Sequence, residues 1–165
     1  METKKHLTAQ KYFQMGLLLL SWFSVVLQVV ISPLSIITTF SYFTVLSNIL
    51  VAFVLTFMTF IPSNGASSYL ANFKVQSATA LYIFIVGLIY NLVLRGIWKP
   101  QGWHLVADTL LHVVVPALYF TYWLIFTPKG ILRWTDGVSW AYFPLVYLIY
   151  SLIRGHFVGW YPIHF

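Results

Sequence analysis

The strongest constraint on this chain is a recurring pattern of five apolar runs, at about residues 12–31, 39–61, 77–94, 105–126 and 138–153, joined by short polar connections. Roughly 20 apolar residues in a helix cross the ~30 Å hydrocarbon core of a bilayer. Backbone groups in lipid have no water to bond, so a spanning segment must be a helix or part of a closed barrel. The short in-out alternation of a barrel strand is absent. An all-α integral membrane bundle of about five transmembrane helices is therefore expected, as a single domain over residues 1–165. Composition agrees: 60% of residues are hydrophobic and 7% charged, against roughly 25% charged in soluble domains.

Charge bears on orientation and partners. Nine Lys and Arg oppose three acidic residues. They lie between the apolar runs and form no basic face. They read as topology anchors beside anionic lipid rather than as a nucleic-acid surface, and membrane lipids are the expected partners. An inside N-terminus puts Lys4, Lys5, Lys11, Lys74, Lys129 and Arg133 on the inner side and Arg95, Lys99 and Arg154 outside. That bias favours a multi-pass plasma-membrane protein with a cytoplasmic N-terminus. The first run is too long for a signal-peptide core and no small-residue cleavage site follows, so it is expected to stay as a span. The absence of cysteine removes disulfides and thiolate chemistry. No cofactor is called for.

The costly residues fall unevenly. Consecutive spans alternate direction, so the start of the second, end of the third, start of the fourth and end of the fifth share one leaflet. Ser41, Thr44, Ser47 and Asn48, then Asn91 and Arg95, then His104, Asp108, Thr109 and His112, then Tyr150, Arg154 and His156 occupy those positions. The opposite leaflet is expected to hold almost nothing comparable. Ionisable residues inside a membrane default to a functional reading, and their convergence suggests a polar cavity open to one side. His104, Asp108 and His112 recur every four residues, on one helix face. Asp108 could orient His112 or pair with Arg95 to fix packing. Pro116 deprives the His112 carbonyl of its usual helical donor. Thr44, Ser47 and Asn48 read either as helix-packing residues or as a hydroxyl nucleophile and its neighbours, with His112 as base. No GxSxG elbow occurs.

The stretch RGIWKPQGWHLVADTLLHVVVPALYFTYWLIFTPKG, followed by WAYFPLVYLIYSLIRGHFVGWYP, resembles a bacterial multipass family of largely unassigned function. That family is similar to the eukaryotic androgen-induced membrane proteins, hydrolases of fatty acid esters of hydroxy fatty acids that use an intramembrane Thr and His. The resemblance covers about residues 40–162. SYFTVLSN resembles the segment with the nucleophilic Thr, which implies that role for Thr44. LLHVVVP resembles the His-to-Pro segment, which implies the base at His112. Family members usually continue beyond the Trp160–Tyr161–Pro162 motif into a sixth span, whereas this sequence ends at Phe165.

Three functions compete. The leading expectation is hydrolysis of a lipid ester by Thr44 and His112, with Asp108 orienting His112. Asn48, Arg95, His104, Arg154 and His156 are then candidates for substrate binding or oxyanion stabilisation. The second is a metal-dependent hydrolase using His104, Asp108 and His112, with His156 as a further ligand; along one helix these three span about 12 Å, too far for one ion. The third is a non-enzymatic lipid-binding or transport-associated protein.

Overall fold

The computed structural model describes residues 2–60, 72–97 and 99–161, with the side chains of residues 2–6 outside that description. Among the described residues there are helices and no strands. In chain order they are α1 (Glu2–Ile31), α2 (Ile36–Thr39), α3 (Phe43–Phe60), α4 (Phe73–Ile89), α5 (Trp103–Thr109), α6 (Val115–Phe126), α7 (Trp134–Trp140) and α8 (Tyr142–Val158). A π turn, Tyr90–Leu94, extends α4, and a second, Leu110–Val114, joins α5 to α6. Five helical segments are long and apolar enough to cross a membrane: Leu7–Ile31, Phe43–Phe60, Phe73–Leu94, Trp103–Phe126 and Trp134–Val158. This is the expected all-α bundle. Most of the polar connection expected at 62–76, together with Trp98 and Pro162, lies outside the described residues.

Span limits differ from the sequence reading where polar residues are good helix formers or caps. Helix α1 begins at Glu2 rather than near 12, because residues 2–11 contain no Gly or Pro and several strong helix formers. Helix α4 begins earlier than expected, where Asn72 Oδ1 accepts the Lys74 N–H at 2.9 Å as an N-cap. The region read as a turn at 127–137 already holds α7. Asp136 starts it by accepting the Arg133 N–H at 2.9 Å, and it pairs with Lys74 Nζ at 2.6 Å, pinning α7 to α4. At the end of α6, Lys129 Nζ donates to the carbonyls of Thr127, at 2.7 Å, and Trp123, satisfying terminal groups as a C-terminal cation can.

The core lies where α1, α3, α4 and α6 meet. Leu17, Leu18, Val51, Leu55, Ala80, Ile83, Val115 and Tyr119 are all buried there. The fifth span is the least buried of the five. Pro144 explains how it is held. Its missing N–H leaves the Trp140 carbonyl without the i+4 donor a helix would supply. Tyr82 of α4 donates its hydroxyl to that carbonyl at 2.6 Å. Tyr147 and Tyr150 add bonds from α8 to the Phe43 N–H, at 3.2 Å, and to the Ser41 hydroxyl, at 2.6 Å.

The leaflet expected to hold almost nothing comparable carries a network of uncharged polar residues. Tyr122 donates to Gln14 Oε1 at 3.0 Å and accepts from Gln10 Nε2 at 3.2 Å, while Gln14 Nε2 donates to Thr59 at 2.7 Å. Trp123 donates to Ser77 at 2.8 Å, and Thr127 to Gln76 Oε1 at 3.1 Å. These uncharged residues escape a search for ionisable groups, yet hydrogen bonds between helices hold membrane bundles together.

Tyr82→Phe is expected to lower the stability of the purified protein by about 1 kcal/mol, since it leaves the Trp140 carbonyl unbonded. Reversible unfolding in mixed micelles measures it, with the exposed Tyr142→Phe as the neutral comparison.

Candidate functional site

The two π turns lie against each other, and the site is built between them. Each contains a hydrogen bond of π register: Arg95 N–H to Tyr90 O at 2.9 Å, and Val115 N–H to Leu110 O. Such single-turn π insertions commonly mark functional positions. Pro116 accounts for part of the second. In π register the donor for Leu111 O would be the nitrogen of residue 116, and proline has no N–H. The carbonyl that needs an outside donor is therefore that of Leu111, one residue before the one expected. Asn48 of α3 supplies it, donating Nδ2 at 3.1 Å.

Asn48 is fully buried. Its Nδ2 also donates to Thr44 O within α3 at 2.9 Å. Both amide hydrogens are thus committed to carbonyls, and none remains for an oxyanion. Its Oδ1, like the neighbouring Ser47 Oγ, is buried with no hydrogen-bond partner among the described residues. On the other side of the turn, Gly87 permits close approach of α4. A Cβ there would lie 3.0 Å from Pro116 Cβ and 3.3 Å from the His112 carbonyl oxygen.

His112 is the centre of the site. Its Nδ1 lies 3.2 Å from Asp108 Oδ1 and 3.0 Å from the Asp108 carbonyl oxygen. Both neighbours are acceptors, so in the neutral ring Nδ1 carries the proton and Nε2 holds the free lone pair, a tautomer assigned from its partners. The two side chains are largely buried, 18% exposed for His112 and 9% for Asp108. Tyr90 completes the group. Its hydroxyl donates to Asp108 Oδ2, and its ring stacks on the imidazole with centroids 4.4 Å apart and 19° between planes. The sequence reading missed Tyr90, one of eleven tyrosines. Its position one residue before Asn91, at the end of the third span, was the available signal.

The other expected residues separate from this cluster. Thr44 is half-buried one turn below Asn48, and no hydrogen bond joins its hydroxyl to His112. Arg95 is exposed and donates to Asn91 Oδ1 at 3.1 Å; it forms no ion pair with Asp108. His104 is exposed one turn before Asp108. Arg154 donates to Thr38 Oγ1 at 3.2 Å and lies 5.3 Å from the Trp160 ring centre. His156 is exposed, its ring against Phe157. The cavity expected to gather four helices is in fact a compact Tyr90–Asp108–His112 group with Asn48 behind it. Among the described residues no three His, Asp or Glu side chains come close enough to share a metal ion. The groove of about 350 Å³ between α1 and α3 is apolar, lined by Trp22, Val25, Val26, Val29, Val30, Phe40, Ile49 and Phe53.

Comparison with protein-family models, curated proteins and solved structures finds no match to this chain.

Asn48→Leu, close in volume, is expected to cost about 1–3 kcal/mol, because it strips a donor from a buried carbonyl. Asn48→Ser, too short to bridge to Leu111, is expected to lose a similar amount. Unfolding in mixed micelles reads both.

Proposed function

We propose that this chain is an intramembrane hydrolase of lipid esters, with His112 as general base, Asp108 as its orienting partner and Thr44 as nucleophile. The observation that carries the reading is the His112 tautomer. Nδ1 bonded to the Asp108 carbonyl oxygen, with the Asp108 carboxylate beside it, leaves Nε2 bare, and a bare Nε2 is what a histidine needs to accept a proton from a hydroxyl nucleophile. The resemblance of SYFTVLSN and LLHVVVP to the androgen-induced hydrolases supports the same two residues. So does the Asn48 bridge, which ties the Thr44 backbone to the residue preceding His112.

The chemistry follows. The Thr44 hydroxyl gives its proton to His112 Nε2 as Oγ1 attacks the ester carbonyl carbon. The tetrahedral oxyanion collapses, the C–O bond to the alcohol breaks, and the alcohol oxygen takes the proton from Nε2. Water then attacks the acyl-threonine and gives a proton to His112 Nε2; the acyl C–Oγ1 bond breaks, Oγ1 takes that proton back, and the fatty acid leaves. Catalysis requires Thr44 Oγ1 to reach hydrogen-bond distance of Nε2, an approach that free enzymes often complete only when substrate binds. The α1–α3 groove, which includes the neighbour of Asn48, is suited to an acyl chain. Arg95, Lys99 and Arg154 are cations at that leaflet for an acidic headgroup.

Fluorophosphonate labelling of the detergent-purified protein tests this reading. Wild type is expected to label at Thr44, and Thr44→Ala and His112→Ala to lose labelling while remaining folded. Ester hydrolysis is expected to fall about 10²- to 10⁴-fold in His112→Ala. Hydrolysis that survives Thr44→Ala removes Thr44 as nucleophile. No labelling and no hydrolysis in wild type would leave a lipid-binding role.

The positive-charge bias further supports a cytoplasmic N-terminus in the plasma membrane. Because the chain has no cysteine, single cysteines at positions 5 and 99 report without background. Position 99 is expected to react with an impermeant maleimide in intact cells and position 5 only after lysis; the reverse pattern inverts the topology.

A further inference from the structure

The Asp108 carboxylate is held at both oxygens. Oδ1 faces His112 Nδ1 at 3.2 Å, and Oδ2 accepts the Tyr90 hydroxyl. The hydrogen bond at Oδ2 opposes rotation of the carboxylate about its bond to Cβ and so keeps Oδ1 beside His112 Nδ1, which itself bonds the Asp108 carbonyl oxygen at 3.0 Å. In a buried site an unmade bond is costly. Arg95, five residues along the same turn, is exposed and committed to Asn91. Tyr90 is thus the side chain beyond His112 that engages the carboxylate among the described residues. It also restrains the imidazole directly, by stacking against its face. Tyr90 is itself only 6% exposed, and its carbonyl accepts the π-register bond of its own turn. One residue therefore fixes both members of the pair from a second helix.

We infer that Tyr90 is the positioning residue of this site: through its hydroxyl on Asp108 and its ring on His112 it holds the imidazole with Nε2 presented as the free base. The kinetic consequence rests on the hydrolase reading above; the structural consequence does not. A tyrosine that only fills space would be replaced by phenylalanine without effect, since the stack and the volume survive. A positioning hydroxyl would not be replaceable in this way.

The decisive comparison is wild type against Tyr90→Phe by NMR of imidazole nitrogens and their protons in detergent. The His112 signals are assigned by their loss in His112→Gln. In wild type the His112 Nδ1–H proton is expected to resonate downfield and exchange slowly with water, as a largely buried proton bonded to the Asp108 carbonyl with the carboxylate 3.2 Å away requires. In Tyr90→Phe the carboxylate is free to swing away, and the signal is expected to move upfield and exchange faster. A spectrum identical to wild type overturns the inference. Should Tyr90→Phe fail to survive purification, Tyr90→Met removes the hydroxyl and the stacked ring together, and an unchanged His112 spectrum in that variant overturns the inference equally. In parallel, ester hydrolysis by Tyr90→Phe is expected to lose about tenfold in kcat at unchanged KM, the size of effect seen when an orienting partner of a histidine is removed. An unchanged kcat also overturns it. If wild type hydrolyses no ester, the hydrolase reading fails, and the NMR comparison still decides the role of Tyr90.

Discussion

The backbone carbonyls that prolines leave open, in segments where no water can take them, are the constraint on which the rest of this bundle depends. Pro116 and Pro144 each remove a donor inside a spanning segment. In lipid a bare carbonyl is costly, so a side chain from another helix supplies the bond. Asn48 does so for Leu111, and Tyr82 does so for Trp140. These bonds fix neighbours as well as satisfying the backbone. The first locks α3 to the turn that carries His112. The second fastens the fifth span, which buries little of its own surface, to α4.

The first of these bonds also shapes the site. With Leu111 O held by Asn48, the chain through Leu110–Val114 can keep its π register, and His112 and Asp108 are brought to bear on each other within one turn. The matching π turn on α4 sets Tyr90 against them, and Gly87 lets the helices come close enough for contact. Helix irregularity here is therefore a means of aiming side chains between helices.

The two ends of the bundle use polar residues differently. At one end, Gln10, Gln14, Thr59 and Tyr122 pair with one another. At the other, Asn48 Oδ1 and Ser47 Oγ stay buried without partners among the described residues, and His112 presents a lone pair that none of them takes. A satisfied network is glue between helices. Buried groups left over are what a reacting or binding site requires.

The sequence by itself determined the class and the number of spans, because the length and hydropathy of each run answer directly to bilayer thickness. It also singled out His112, Asp108, Asn48 and Pro116, since ionisable and amide groups in lipid are costly enough to stand out along the chain. Only the tertiary structure decided which of these meet. Spacing on one helix placed His104 with Asp108 and His112, but His104 is exposed at the start of α5, one turn before Asp108. Tyr90 lies eighteen residues from its partner Asp108, on another helix, and its place beside Asn91 is the one local feature that sets it apart from the other tyrosines. Its contact with Asp108 comes from the packing of two helices, and the bond that closes the Leu111 carbonyl depends on a neighbouring helix supplying a donor. That supply is a fact of packing, and a pattern read along one strand of sequence does not contain it.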